Sequence, residues 1–285
     1  MIRDAEIRRL ARAAGVEPRI VELDHALGWA LRGLAIHPRL AGRLLFKGGT
    51  CLRKCYFPEY RFSEDLDFTA TQWIGRAGFE EASAEALAAV QEASGIDFSA
   101  AAPKSRVIND EYGRESLRLS IYWRGPHRAR GSPSGLRLDI TRNEVLAFEP
   151  VSRVVTHPFS DRGDLGDVRF SCYRLEEVMS EKIRAVLGQR IFAVSRDLYD
   201  IFVLRPHVDA ERVRIGLPPK LAVRDVDVHV GSFDRMIARE DEFRADWERR
   251  LANLLPPGAE CEFDEAWSAV TEYVAGIAGG LPDSG

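Results

Sequence analysis

No apolar run in this sequence approaches the roughly 20 residues that a membrane-spanning helix requires. The opening segment, Met1-Ile2-Arg3-Asp4-Ala5-Glu6, is charged and has no apolar core of a secretory signal, so a cytoplasmic location and no membrane partner are expected. Cysteine is scarce: Cys51, Cys55, Cys172 and Cys261 are the only four. Cys51 and Cys55 stand one helical turn apart, but no Cys or His pair with ligand spacing completes a metal site, and they read as small buried residues on a helix face. The six histidines are scattered and form no catalytic constellation. Lysine is rare as well, at five of the 40 cationic residues: Lys47, Lys54, Lys104, Lys182 and Lys220. Where arginine is the default cation, a lysine invites a reason, such as a compact charge for one phosphate, although Lys104 and Lys220 show no such context. A net charge of −4 excludes a surface with broad non-specific affinity for nucleic acid.

What is present is the composition of a soluble globular chain, 285 residues with 45% hydrophobic and 29% charged side chains, enough for one large domain or two modest ones. Apolar spacing predicts helices over Ile2 to Ala14 and Ile20 to Ile36, a short buried strand over Leu44 to Lys47, a helix over Thr50 to Tyr56 and a strand over Leu66 to Thr69. An Ala-rich helix over Phe79 to Ala93 stops at Gly95. Strands follow over Ser105 to Asn109, Ser116 to Trp123, Leu136 to Arg142 and Val151 to Thr156, the second and third joined by a long Gly/Pro/Ser-rich hairpin loop. Helices then dominate: Leu175 to Leu187, Ser195 to Leu204, Asp209 to Ile215, Phe233 to Leu254 and Glu265 to Ile277, before a Gly-rich tail that reads as disordered. The expected architecture is α+β, with a mixed-sheet domain over 1–171 and a mainly helical domain over 172–285.

The chemistry concentrates in Lys47-Gly48-Gly49-Thr50-Cys51-Leu52 and Arg61-Phe62-Ser63-Glu64-Asp65-Leu66-Asp67-Phe68. A glycine pair opening a helix lets the backbone approach phosphates, and the helix N-terminus adds free N–H donors. In a strand, Asp65 and Asp67 share one face while Leu66 and Phe68 anchor the other. Two such carboxylates repel unless a cation lies between them, and a pair of magnesium ions on a nucleoside triphosphate suits the place. The same stretch also reads as a solvated turn, since short motifs carry a high false-positive rate. If the strand Leu136 to Ile140 lies beside it, Asp139 completes a three-carboxylate cluster; alone, Asp139 pairs equally well with Arg137 or Arg142. Lys182 could neutralise triphosphate charge with Asp197 orienting it, or Asp197 and Asp200 could pair with Arg196 or Arg205 on solvated helices. The basic run from Arg124 to Arg142 reads either as a polyanion contact or as a solvated loop.

Taken together, Gly48-Gly49-Thr50, Ser63-Glu64-Asp65-Leu66-Asp67-Phe68, Asp139, Glu181-Lys182-Ile183-Arg184-Ala185 and Arg196-Asp197-Leu198-Tyr199-Asp200 resemble the AbiEii/AbiGii toxin family over roughly Leu44 to Leu204. These are nucleotidyltransferase-like proteins of abortive-infection and toxin–antitoxin systems and include mycobacterial tRNA-modifying toxins. The resemblance implies a polymerase-β-like core with a mixed sheet flanked by helices, and a helical C-terminal region contributing Lys182 and Asp197 to the site. It casts Gly48, Gly49 and Thr50 as the phosphate loop, with Ser63, Lys182 and Arg184 also toward the nucleotide. It casts Asp65, Asp67 and Asp139 as ligands of two magnesium ions, with manganese as a substitute, and Lys182 and Asp197 as essential. Ser63 matches a position where phosphorylation silences the toxin. The implied reaction moves NMP from an NTP to RNA, foremost a tRNA 3′ end, and so blocks translation; a cognate antitoxin is implied as partner. A nucleotidyl- or phosphotransferase acting on a protein or small molecule, or a non-catalytic NTP-binding module, are the alternatives. Thr50 departs from the superfamily's usual Gly-Ser but keeps the hydroxyl.

Overall fold

A computed structural model describes residues 1–109, 115–127, 132–190, 192–222 and 230–279. The basic residues Arg128 and Arg130 and most of the Gly-rich tail lie outside these. Two compact units are present: one of 1–143, 150–172 and 254–259, the other of 144–149, 173–253 and 260–285.

The first unit begins with two helices, α1 (Asp4–Ala13) and α2 (Pro18–Ile36). Pro18 takes the first turn of α2, where its missing N–H is no loss. On α1 only Ile7 and Ala11 are buried, whereas α2 is buried on nearly every side, as its apolar content demands. β1 (Leu44–Lys47) is apolar and buried throughout, as befits a strand flanked on both edges and covered on both faces. It runs straight into α3 (Gly48–Cys51), which continues as a wide π turn over Leu52–Tyr56. β2 (Asp65–Ala70), α4 (Arg76–Ala88) and the short α5 (Gln91–Ser94) follow. The helix expected over 79–93 is thus broken near Val90, and Gly95 closes it in the left-handed conformation, φ +69°.

The remaining strands are β3 (Asp97–Asn109), β4 (Glu115–Arg124), β5 (Ser134–Thr141), β6 (Val151–Val154) and β7 (Arg169–Cys172), with the short α6 (Arg162–Leu165) between the last two. They form one seven-stranded mixed sheet in the order β3-β4-β5-β2-β1-β7-β6. β1 is antiparallel to β2 and parallel to β7, and β2 is parallel to β5. The phenyl rings of Phe46, Phe68 and Phe170 meet on the core face at centroid distances of 5.3 to 5.8 Å. The sequence reading started β3 eight residues late and omitted β7. Alanine-rich 100–102 has weak strand preference and lies where the β3–β4 register shifts, and β7 is only four residues long.

In the second unit, α7 (Leu175–Arg184) passes into a π turn over Ala185–Gln189, and α8 (Ser195–Leu204) follows. α9 (Ala210–Ala222) runs past the expected end at Ile215, through Pro218 and Pro219, because Leu217, Lys220 and Leu221 are buried. The single helix expected over 233–254 is instead α10 (Val230–Ile237), α11 (Glu240–Asp246) and tighter or wider turns to Leu254. α12 (Phe263–Ala278) closes the chain. Phe243, Trp247, Phe263 and Trp267 stack through this unit at 5.6 to 5.7 Å. Lys220, which the sequence left without a role, is wholly buried, 2.5 Å from Glu177 and 3.2 Å from Glu181. Arg184 joins this network through Glu144 (3.2 Å) and the Lys220 carbonyl (2.8 Å).

Candidate active site

The parallel pairing of β2 with β5 sets Asp65 opposite Arg137 and Asp67 opposite Asp139. Residues in register share a face, so the three carboxylates emerge together while Leu66, Phe68, Leu138 and Ile140 are fully buried on the other side. This is the side-by-side placement of the two strands that would complete the cluster. One pairing differs from expectation. Asp139 bonds neither Arg137 nor Arg142 but Arg118 of β4, its register partner, through Nε at 2.7 Å and Nη2 at 2.5 Å. Arg137 instead donates to Asp65 at 2.6 Å, and Arg142 stacks on the Trp73 ring.

Arg118 is the cation that the acidic face demanded. Its guanidinium is held more firmly charged by the hydrogen bonds to Asp139, with further attraction from Asp65 and Asp67, although partial burial opposes this. Sequence reasoning missed Arg118 because a long loop separates β4 from β5, and only short hairpin loops fix register. The available signal was the polar series Ser116, Arg118, Ser120 and Tyr122 alternating with Leu117, Leu119, Ile121 and Trp123.

The glycine pair meets this face at the end of β1, where Lys47 is the register partner of Asp67. Gly48 has φ +74°, and a Cβ there would lie 2.3 Å from Asp67 Oδ2. Only glycine lets the Asp67 carboxylate approach the turn so closely. A Cβ on Gly49 would lie 2.6 Å from the guanidinium of buried Arg61, a second cation beside the loop to which the sequence reading gave no role. Thr50 is buried and its hydroxyl donates to the Asp65 carbonyl at 2.5 Å, tying the loop to β2. Ser63 is 9% exposed.

The donor set on this face, three carboxylates beside the glycine turn, fits hard cations such as magnesium. Asp65 and Asp139 would have to turn from their arginines to receive them. Among the described residues, three ligand atoms converge within 4.8 Å of one another at two places, Cys51/Cys55/Cys172 and His25/His157/Asp161. The Asp65, Asp67 and Asp139 carboxylates, the first and last turned to their arginines, are not one of them. The histidine group is a buried hydrogen-bonded clasp: Asp161 lies 2.9 Å from His25 Nε2 and 3.0 Å from His157 Nε2, and accepts from Trp29 Nε1 at 3.1 Å. Burial would raise the Asp161 carboxyl, but the bonds from His157 and His25 hold it far below its usual range.

In the second unit, Lys182 Nζ lies 2.6 Å from Asp197 Oδ1 and 2.7 Å from Asp200 Oδ2, and Arg190 Nε is 2.6 Å from Asp197 Oδ2. Asp197 and Asp200 thus take Lys182 and Arg190, rather than Arg196 or Arg205. Burial works against the Asp197 carboxylate, yet Arg190 and Lys182 bring its pKa below the ordinary value. Arg184, expected toward the nucleotide, is buried in the network with Glu144.

The family described as "Nucleotidyl transferase AbiEii toxin, Type IV TA system" matches residues 29–270. The chain belongs to this family. As an AbiEii protein it is a nucleotidyltransferase toxin of a type IV toxin–antitoxin system. Among solved structures, the AbiEii chain is similar to MenT4, a nucleotidyltransferase toxin of Mycobacterium tuberculosis H37Rv, at TM-score 0.68 and 21% identity, covering 99% of this chain and 91% of that one. It is also similar to JHP933 from Helicobacter pylori, at TM-score 0.54 and 16% identity, covering 93% and 94%. At these identities the likeness speaks for the α+β nucleotidyltransferase fold. No curated protein matches the chain in sequence. No helix among the described residues is long and apolar enough to cross a membrane.

Proposed function

We propose that this AbiEii toxin transfers NMP from an NTP to the 3′ end of tRNA, with magnesium, and thereby blocks translation. The observation that supports this most is the carboxylate face of β2 and β5 set against the Gly48-Gly49 turn. The turn's N–H groups receive the triphosphate, and Asp65, Asp67 and Asp139 would hold magnesium, which when bound would supply activation of the acceptor hydroxyl and neutralisation of the leaving pyrophosphate. The acceptor oxygen bonds to the α-phosphorus, the α–β bridging bond breaks, and pyrophosphate leaves with its electron pair. Asp139, released from Arg118, accepts the hydroxyl proton, and Arg118 is then free to take up phosphate charge. Lys182 and Asp197, in the helical unit, are proposed to serve the same reaction on the strength of the family motif.

A cognate antitoxin and a cytoplasmic location belong to the same reading. Silencing through phosphorylation of Ser63 would require that nearly buried hydroxyl to be uncovered. The test is incubation of the purified chain with each labelled NTP, magnesium and total RNA. Label on tRNA-sized RNA, at the 3′ terminus and from a preferred nucleotide, is expected. Label on protein or a small molecule alone would overturn the choice of acceptor.

A further inference from the structure

Cys51 and Cys55 are distant from Cys172 in the sequence, yet the three sulfurs all lie within 4.8 Å of one another. Cys51 and Cys55 project from α3 and its π turn; Cys172 ends β7 and is the register partner of Phe46. The sequence reading found no completing ligand for the helix pair because Cys172 is distant in the chain and β7 went unrecognised.

We propose that these three thiolates form a binding site for a thiophilic divalent cation of the zinc class, separate from the carboxylate face. A tetrahedral zinc–thiolate centre with bonds of about 2.3 Å sets its sulfurs roughly 3.8 Å apart, inside the 4.8 Å that bounds the arrangement already present. Soft thiolates select such a metal over magnesium. A disulfide explains less. A bridge between Cys51 and Cys55 would leave Cys172, whose sulfur lies within 4.8 Å of both, unexplained. A bridge from Cys172 to either would leave the third sulfur unexplained. Three thiolates and one divalent ion leave a single negative charge, and the cations of Lys54 and Arg153 lie within electrostatic reach of Cys55 to balance it. No other His, Cys, Asp or Glu among the described residues joins the group, so the fourth position takes water or a solution thiol from the half-buried Cys55 side. Such a centre would pin the helix that follows the Gly48-Gly49 turn to β7, fixing the turn from behind.

The test uses the full chain, reduced and stripped with chelator, then titrated with Cd2+ and Zn2+. A sulfur-to-cadmium charge-transfer band saturating at one equivalent per chain is expected. Zinc should slow alkylation of Cys51, Cys55 and Cys172 at least tenfold, read by peptide mass spectrometry, and leave Cys261 unaffected. Cys55→Ser and Cys172→Ser should each lose the band, while Cys261→Ser and Asp67→Ala keep it. The alkylation measurement on the unaltered chain stands even if a serine variant misfolds. No band and no protection at micromolar metal would overturn the proposal, as would a Cys172 disulfide recovered from freshly purified chain.

Discussion

Replacing Gly48 by alanine tests the junction between phosphate turn and carboxylate face most sharply. At φ +74° an L-residue carries a conformational penalty of about 1–2 kcal/mol. The added methyl would lie 2.3 Å from Asp67 Oδ2 and 3.0 Å from its Cγ. Ordinary contact begins near 3.4 Å, so the carboxylate must retreat by about 1 Å or the turn must open. Displacing a reactive group by that distance costs on the order of 100-fold in rate. Stability should suffer far less: about 1–2 kcal/mol lowers the melting temperature of a chain this long by only a few degrees. The assay pairs thermal melts with nucleotidyl transfer at saturating NTP and magnesium. A folded Gly48→Ala variant with transfer within threefold of wild type would refute the idea that Asp67 must sit against this turn.

Arg118→Ala removes the counter-cation of the acidic face, so without metal it should melt lower by an amount worth about 1 kcal/mol, as for a partly exposed pair. Magnesium should then raise its melting temperature more than that of wild type; an equal magnesium response in both would contradict the role given to Arg118. Lys182→Ala removes the cation that the buried Asp197 and Asp200 carboxylates share, leaving Arg190 on Asp197, at a cost of about 3–5 kcal/mol. Its denaturant midpoint should fall clearly, and Lys182→Ala with Asp200→Asn should recover part of the loss; an unchanged midpoint would dissolve the ion cluster as a structural element. For Asp24, burial raises the carboxyl, but Lys54 and Arg53 outweigh it and hold it at about 2. A lowered carboxyl stabilises the fold above its unfolded value of 3.8 and loses that stability as pH falls through about 2, a contribution of about 2 kcal/mol. Acid unfolding of Asp24→Asn should therefore be flatter between about pH 4 and pH 2; the same slope as wild type would deny Asp24 this role.

Local patterns carried much of the fold and site into the sequence. Leu66 and Phe68 alternating with Asp65 and Asp67 oriented β2, and the apolar run Leu44 to Phe46 before a glycine pair marked a strand, a turn and a helix start. What stayed illegible depended on distant pairings. Neither Arg118 opposite Asp139 nor Arg137 on Asp65 follows from local spacing, because the parallel β2–β5 and long-looped β4–β5 registers are set by the assembled sheet. Lys220 lies past the expected helix end at Ile215 and Arg184 reads as a nucleotide contact, since the glutamates that meet Lys220, and Glu144 beside Arg184, are distant in the chain. The cysteine cluster was hidden for the same reason, its third member closing a four-residue strand.

The central claim is transfer of the nucleotidyl group, directed by the carboxylates of β2 and β5. Matched reactions with α-labelled and γ-labelled NTP, for wild type and Asp67→Ala, test it directly. The expected outcome is α-label on the acceptor, γ-label released as pyrophosphate, and neither product from a folded Asp67→Ala chain. γ-Label on the acceptor, or α-label transferred undiminished by Asp67→Ala, would contradict it.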